Sequence, residues 1–412
     1  MSVVAVWKKM SLLNKLLIAM IIGIIAGAIV GKDILVIRPL GKIFLDLLRM
    51  AALPLIICNL IAGVSSVSDA RVFGRCGGKI LLYYFTTTLF AATVGLLIAG
   101  VIKPGDGFIL SGEYTGAVGG QVPSVVSALM GMIPNNIFAS LAKGGYDHAV
   151  VFSIFMGVAI VIMPADKREK LHNAFELLSQ CFGYMIKIIM IYAPIGVGAL
   201  IACCVGEYGT MFFTFAVKFL AVNYISVFVM VGVYLALLAI FSRRSPLAVV
   251  KAAMPAMVMA FSTQSSAATL PVNIQCADNL GLRKSVSGFT LPLGCQINKD
   301  GTAILLAASF LFAAQAVGVP LDLGTYIKVV VLALLLTTGS NVVAGGAIVV
   351  VTILIESFNL PVETVVVVAG ALALIDGILT MGNTLGDFIG TVIVSDSEDK
   401  REAAEAAAEA KC

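Results

Sequence analysis

The chain has 412 residues, 60% of them hydrophobic and 12% charged, with a mean hydropathy of +1.04. No soluble domain could hide that much apolar surface within itself, so the composition excludes a soluble globular fold and points to a polytopic membrane protein. The net charge of +4 sits mostly in short loops, where it bears on topology and not on a nucleic-acid partner.

Lys8, Lys9 and Lys15 precede an apolar run from Leu16 to Gly31. The run has no convincing cleavage site and is followed at once by another span, so it is an uncleaved first helix and not a signal peptide. Spans are expected near 12–31, 40–67, 79–102, 123–163, 173–204 and 211–242, each long enough for a bilayer at about 1.5 Å per residue. The fourth is too long for one helix, and Pro123, Pro134 and the Gly144-Gly145 pair predict a broken segment. Basic clusters at Arg71, Arg75 and Lys79, at Lys167, Arg168 and Lys170, at Arg243 and Arg244, and at Arg283 and Lys284 mark one side of the membrane. Their alternation with poorer loops places both termini in the cytoplasm of a multi-pass cell-membrane protein. The eight cysteines are scattered through apolar runs without a CxxC pair, which favours structural thiols over zinc ligands or disulfides.

After Arg244 the pattern changes. Two apolar segments are interrupted by small polar residues, Ser262 to Thr269 and Thr337 to Gly346, and each arm is too short to cross a bilayer, which predicts two re-entrant hairpins. Each is followed by a long helix with intramembrane polar groups, and an odd number of further crossings makes the second hairpin enter from the opposite side. Paired interrupted segments of opposite orientation point to a transporter site at the interface of inverted repeats. Irregular backbone survives at that depth only where protein or a polar cavity satisfies its amides and carbonyls. The fold expected is therefore an all-α polytopic membrane protein with eight transmembrane helices and two re-entrant helical hairpins.

The last apolar helix carries Asp376, Thr380, Asn383 and Asp387, which at about 100° per residue fall within an arc of roughly 60°. A charge at mid-bilayer costs about 2.5 to 3.5 kcal/mol even on the lenient insertion scale, so two aspartates on one stripe call for a cation, a partner or a water-filled cavity. A helix-packing stripe satisfied by neighbours is the alternative. In the preceding long helix, Asn298, Asp300 and Gly301 fall at an expected unwinding, and Tyr83 to Thr88 in the third span bring hydroxyls to an otherwise apolar helix. Hard monovalent cations need several oxygen ligands of this kind, although helical threonines also bond back to their own carbonyls. Hairpin tips add amide N–H groups suited to a substrate carboxylate. The tail from Ser395 to Cys412, with its Glu-Ala-Ala repeats, is expected to be a solvated and dispensable cytoplasmic helix.

Two other classes fit less well. An intramembrane Ser-Lys hydrolase could be built from Ser265 or Ser266 and Lys299, but no oxyanion motif accompanies them and the polar groups are spread over several segments. A channel wants rings of identical groups, and this constellation is asymmetric within one chain.

The residues Ser265 to Pro271, Leu291 to Thr302, Ala344 to Gly346 and the stripe, with weaker support from Ala193 to Gly196 and Leu53 to Ile56, carry a resemblance to the dicarboxylate/amino acid:cation symporter family. It spans nearly the whole chain and is most specific after Arg244. The resemblance implies a homotrimer in the lipid bilayer, in which a transport domain moves past a fixed scaffold in an elevator-type cycle. Residues 1–78 would be scaffold helices 1 and 2, 79–122 transport-domain helix 3, 123–204 scaffold helices 4 and 5, 205–394 the remaining transport domain, and 395–412 a cytoplasmic tail. It further implies a substrate site of Ser265, Ser266, Thr302, Val343, Gly345, Asp376, Leu379, Thr380 and Asn383, with Asp376 on an α-amino group and Asn383 on an α-carboxylate. One sodium would lie at Gly294, Asn298, Asn383 and Asp387, another at Tyr84, Thr87, Thr88, Asn298 and Asp300, and a third near Gln296 and Thr337 with the Ser340 tip.

Two positions depart from the family pattern. Leu379 stands where an arginine would pair with an acidic side chain, and an aspartate or glutamate substrate would then bury an unpaired carboxylate at a cost on the order of several kcal/mol. A neutral amino acid resembling serine, threonine or alanine is therefore the expected cargo, with a sodium- or proton-coupled dicarboxylate or acidic amino-acid symporter as the alternative. Lys299 stands where the family has methionine. Its ammonium could replace one ion as a tethered cation, lose its proton and make coupling partly protonic, or swing away to another carboxylate; direct replacement is the working expectation.

Overall fold

A computed structural model of the chain describes residues 10, 12–66, 70–108, 133–143, 146–209, 211–338 and 346–409. The described residues are almost entirely helical and contain no strand. Helices α1 (Leu12–Val30) and α2 (Arg38–Ser66) are joined by a 3₁₀ segment, Gly31–Ile37, and are followed by α3 (Ala70–Ile102). The expected long fourth span contains two separate helices, α4 (Ile137–Ala142) and α5 (Tyr146–Val161); its portion from 123 to 132 and the Gly144-Gly145 pair lie outside the described residues. Then come α6 (Ala165–Tyr208) and α7 (Met211–Phe241). Among the described residues, seven stretches are long and apolar enough to cross a membrane, and shorter apolar helices at Leu53–Ser65 and Val151–Val161 fall within two more of the expected spans.

The interrupted half follows the expected order. Helices α8 (Pro246–Thr263) and α9 (Ser266–Asn279) pack against each other as the first hairpin. At its tip Gln264 takes a left-handed conformation, φ 53°, and Ser265 caps α9 by accepting the Ala268 amide at 3.3 Å. A left-handed residue followed by a serine N-cap reverses the chain while satisfying the exposed amides. The 18 residues of α8 correct one expectation: that arm alone is long enough to cross, and the reversal at Gln264 is what makes it a hairpin arm. Helices α12 (Leu323–Thr338) and α13 (Gly346–Ser357) form the second pair and touch each other, with the tip 339–345, including Ser340, Val343 and Gly345, outside the described residues.

Between the hairpins the long helix is broken into α10 (Lys284–Ile297) and α11 (Asp300–Ala316). Asn298 is extended, with ψ 106°, and Lys299 has ψ 53°, so two residues leave the helical region at the centre of an apolar span. The chain ends in α14 (Val365–Glu409).

Two packing groups emerge. Helices α1, α2 and α5 pack with α6 or α2, and α1 meets α6 closely enough that a Cβ at Gly27 would stand 2.4 Å from the Ala202 carbonyl oxygen. Small residues allow such backbone approach where lipid offers no hydrophobic drive between helices. The second group gathers α3, α7, α8, α10 and α11 around one another and α14. Helix α11 is apolar on every side and buried from Ala303 to Ala314, as a helix without a polar face must be when neighbours and not lipid surround it.

One end of α14 overturns the reading of the tail. Ser395, Asp396 and Glu398 are buried, not solvated. Asp396 accepts from Arg244 Nε at 2.9 Å and from Ser242 Oγ at 2.5 Å, Glu398 pairs with Lys79 at 2.7 Å, and Asp399 pairs with Arg283. Basic residues from three separate clusters thus meet the same turn and a half of α14. Local composition could not reveal this, because the partners come from residues 79, 244 and 283.

Candidate functional site

The break between α10 and α11 holds the site together. The helix stops at Ile297: the Asn298 amide makes the last bond of α10, to the Gly294 carbonyl at 2.8 Å, the Lys299 carbonyl accepts the first bond of α11, from the Ala303 amide at 2.9 Å, and the first turn of α11 presents free amides. Asn383 of α14 accepts the Gly301 amide through Oδ1 at 2.7 Å and so acts as a cap supplied by another helix. That bond fixes the carboxamide and leaves its Nδ2 to donate elsewhere. The contact needs glycine at 301, since a Cβ there would lie 2.5 Å from the Leu379 carbonyl oxygen.

Asp300 opens α11 and is buried. Its Oδ1 accepts from Thr88 Oγ1 at 2.6 Å and Thr87 Oγ1 at 3.4 Å, and its Oδ2 accepts from Tyr234 Oη at 2.5 Å. Thr88 also reaches Asn298 Oδ1 at 3.4 Å. Four of the five residues expected around one cation, Thr87, Thr88, Asn298 and Asp300, are therefore in direct contact. The fifth, Tyr84, is buried with its hydroxyl donated to the Thr290 carbonyl at 2.9 Å, and its own carbonyl accepts from Thr87.

The other expected cation position gathers around Asp387, whose Oδ1 accepts Asn298 Nδ2 at 2.9 Å. Gly294 lies against this carboxylate, with a hypothetical Cβ only 2.6 Å from Asp387 Oδ1. The Gly294 carbonyl accepts the Asn298 amide at 2.8 Å, and Asn383 is turned toward Gly301. Asn298 links the two centres, through Oδ1 to Thr88 and through Nδ2 to Asp387. For the third position, expected at carbonyls around Gln296 and Thr337, Gln296 is exposed, the Thr337 hydroxyl donates to the Leu334 carbonyl at 2.9 Å within its own helix, and α10 and α12 touch.

Among the described residues, Asp300 and Asp387 are held by hydroxyls and an amide, with no guanidinium or ammonium group at contact distance. Buried carboxylates without a fixed cation partner, ringed by neutral oxygens, suit mobile hard cations. Among the expected substrate residues, Leu379, Thr380 and Asn383 are buried on α14 and Asp376 is half-buried on the same face. Thr302 is half-buried on α11, and Ser265 and Ser266 stand at the start of α9, with Ser265 engaged as a cap.

Tyr234 was missed in the sequence. It lies in α7, whose run from Met211 to Phe241 is apolar almost throughout, and its signal was a tyrosine hydroxyl that must find a partner once buried. Thr290 and Thr391 were missed as well: their hydroxyls share a 2.7 Å bond, and Thr391 donates to the Asp387 carbonyl at 2.8 Å, tying α10 to α14 one turn beyond the acid.

A broken intramembrane helix, a helical hairpin against it and buried carboxylates among neutral oxygens define a secondary transporter, not an enzyme. A sequence model described as the sodium:dicarboxylate symporter family matches residues 12–397. The chain belongs to that family. It is 28% identical over 410 residues to a proton/glutamate-aspartate symporter of Escherichia coli K12, covering 95% of this chain and 94% of the relative. It is 28% identical over 401 residues to a proton/sodium-glutamate symport protein of Geobacillus stearothermophilus, covering 94% of each. It is 29% identical over 391 residues to a C4-dicarboxylate transport protein of Cupriavidus taiwanensis, covering 92% of this chain and 90% of the relative. The protein is thus a multi-pass, cation-coupled symporter of a small molecule.

Proposed function

We propose that this symporter takes up an acidic amino acid or a C4-dicarboxylate with sodium, protons or both. The observation that carries this reading is the similarity, over more than nine-tenths of the chain, to relatives named for glutamate, aspartate and C4-dicarboxylates. The alternative of the sequence reading thereby overtakes the neutral amino acid first expected. Leu379, buried and without a donor, is the specific observation that keeps serine, threonine or alanine as the second reading.

In mechanism, cations would enter at Asp300 and Asp387 and stiffen the α10–α11 break through Asn298, which contacts both centres. The substrate would then settle between the α9 tip, Thr302 and the Asp376 to Asn383 face of α14, with Asp376 taking an ammonium where the cargo has one. Closure would fall to the second hairpin, and a loaded site, its charges compensated, would cross with less cost than a half-loaded one. The closer packing of α1, α2, α5 and α6 with one another than with the α14 group supports a fixed scaffold and a moving transport domain, and the family likeness extends this to a homotrimer with the Arg244 and Arg283 end of α14 cytoplasmic.

Purified protein in proteoliposomes, given labelled aspartate, glutamate, succinate, serine and alanine with sodium and proton gradients imposed separately, tests the reading. Accumulation of aspartate, glutamate or succinate is expected. Preferential uptake of serine or alanine would move the assignment to the second reading, and equilibration without accumulation would remove symport.

A further inference from the structure

Lys299 is the only basic residue among the buried residues described, with 5% of its surface exposed. It sits in the helix break between Asn298, which holds Asp387, and Gly301, which holds Asn383. Its ammonium donates one hydrogen bond, to the Cys295 carbonyl at 2.7 Å, on the freed end of α10. Among the described residues, no carboxylate comes within 4.0 Å of it. An ammonium has three protons to donate, and burying it with one acceptor leaves its charge under-compensated. An anion arriving in the site would complete it.

The position of the lysine says which anion. Gly301, two residues on, is pressed onto the Leu379 backbone, so Lys299 is rooted beside the Leu379 turn of α14. Leu379 brings no donor to a substrate there, and Lys299 is a flexible four-carbon arm. The site holds three acids, Asp300, Asp376 and Asp387, and one base, Lys299, which stands at the break and not on α14.

We propose that Lys299 supplies the positive charge for the side-chain carboxylate of an acidic substrate, in place of a donor at position 379. The inference rests on the acidic-substrate reading above. It assigns a specificity-determining role to a residue that would otherwise be a helix cap or a resident substitute for a coupling ion.

The test compares wild type, Lys299→Met, and the double variant Lys299→Met/Leu379→Arg in proteoliposomes, reading competition by aspartate and by its neutral isostere asparagine. Losing the ammonium should weaken aspartate about 100-fold, the size expected when one member of a buried charge pair is removed. Asparagine should change little, so the aspartate-to-asparagine ratio collapses, which a purely structural role would not produce. The double variant should recover most of the aspartate affinity, because the charge returns on the adjoining turn of α14. Should wild type prefer neutral substrates, the acidic-substrate reading fails and this inference falls with it. Should wild type take aspartate while Lys299→Met keeps the ratio, the inference alone fails; an added sodium per cycle in that variant would assign the ammonium to an ion position. If the double variant does not fold, the ratio in Lys299→Met decides by itself.

Discussion

Two parts of α14 carry acids, and they treat them in opposite ways. At Asp387, and at the Asp300 centre beside it, the carboxylates are met by Asn298, Thr88 and Tyr234, all neutral. About two and a half to three turns further along, Asp396, Glu398 and Asp399 are met by Arg244, Lys79 and Arg283. The contrast teaches what each end is for. Acids whose countercharge is built in are consumed as structure, while acids left with neutral partners are held ready for a charge that comes and goes.

The sharpest way to break the comparison is to neutralise acids in both places and read stability and coupling together. Asp300→Asn or Asp387→Asn should cut apparent sodium or proton affinity on the order of 100-fold, about 2.8 kcal/mol, measured as cation-dependent uptake. Neither should lower the thermal midpoint of the ion-free protein in detergent, because a buried carboxylate without a cation is itself costly. A variant that melts early yet keeps its cation dependence would make these acids structural and erase the distinction.

Asp396→Ala should do the reverse. It strips Arg244 and Ser242 of their partner, and a loss of about 2 kcal/mol of stability is expected from a half-buried charged network. Cation affinity should stay unchanged in the surviving protein. Chain ends sharpen the same point: truncation after Arg401 should be tolerated, whereas truncation after Val394 removes all three acids and should lower the yield of folded protein. Equal tolerance of both would return the whole tail to the solvated status first expected of it.

Tyr234→Phe comes next in size. Removing a hydroxyl donor to a carboxylate costs about 1.5 kcal/mol, roughly tenfold in cation affinity if the hydroxyl orients Asp300 for the ion. An unchanged affinity would mean the 2.5 Å bond serves only the empty state.

How much of this was legible in the sequence follows the range of the interaction. The stripe on α14 was visible because a helix repeats at 3.6 residues, and the α10–α11 break because Asn-Lys-Asp-Gly is a poor centre for an apolar helix. The Thr87 and Thr88 pairing with Asp300 was expected only through a family likeness, since threonines in a helix usually bond to their own turn, as Thr93 does to Leu89. Tyr234 was hidden because either tyrosine of this 31-residue apolar helix, Tyr224 or Tyr234, has the same local pattern whether it packs or binds. The α14 clamp was hidden for a different reason: its acids lie next to Glu-Ala-Ala repeats that do look solvated, and their partners are far away in the chain.

The smallest expected effect lies outside the membrane, at an acid that belongs to neither group. Asp322 precedes α12, its carboxylate accepts the Gly324 and Thr325 amides at 3.1 Å each, and it also takes the Thr325 hydroxyl. The hydroxyl first, and the amides with it, hold its carboxyl below the usual carboxylate range. A depressed folded value means the cap contributes stability above the unfolded value near about 4, and loses it as pH falls through the lower folded value. Because the group is exposed, solvent screens it, and Asp322→Ala should shift the thermal midpoint less than Asp396→Ala at neutral pH, with the difference from wild type vanishing in strong acid. It is a helix cap at the entrance to the second hairpin, so its loss should loosen that arm without touching cation affinity. If Asp322→Ala instead changed cation affinity as Tyr234→Phe is expected to, neutral partners at contact distance would no longer separate acids that serve ions from acids that serve the fold.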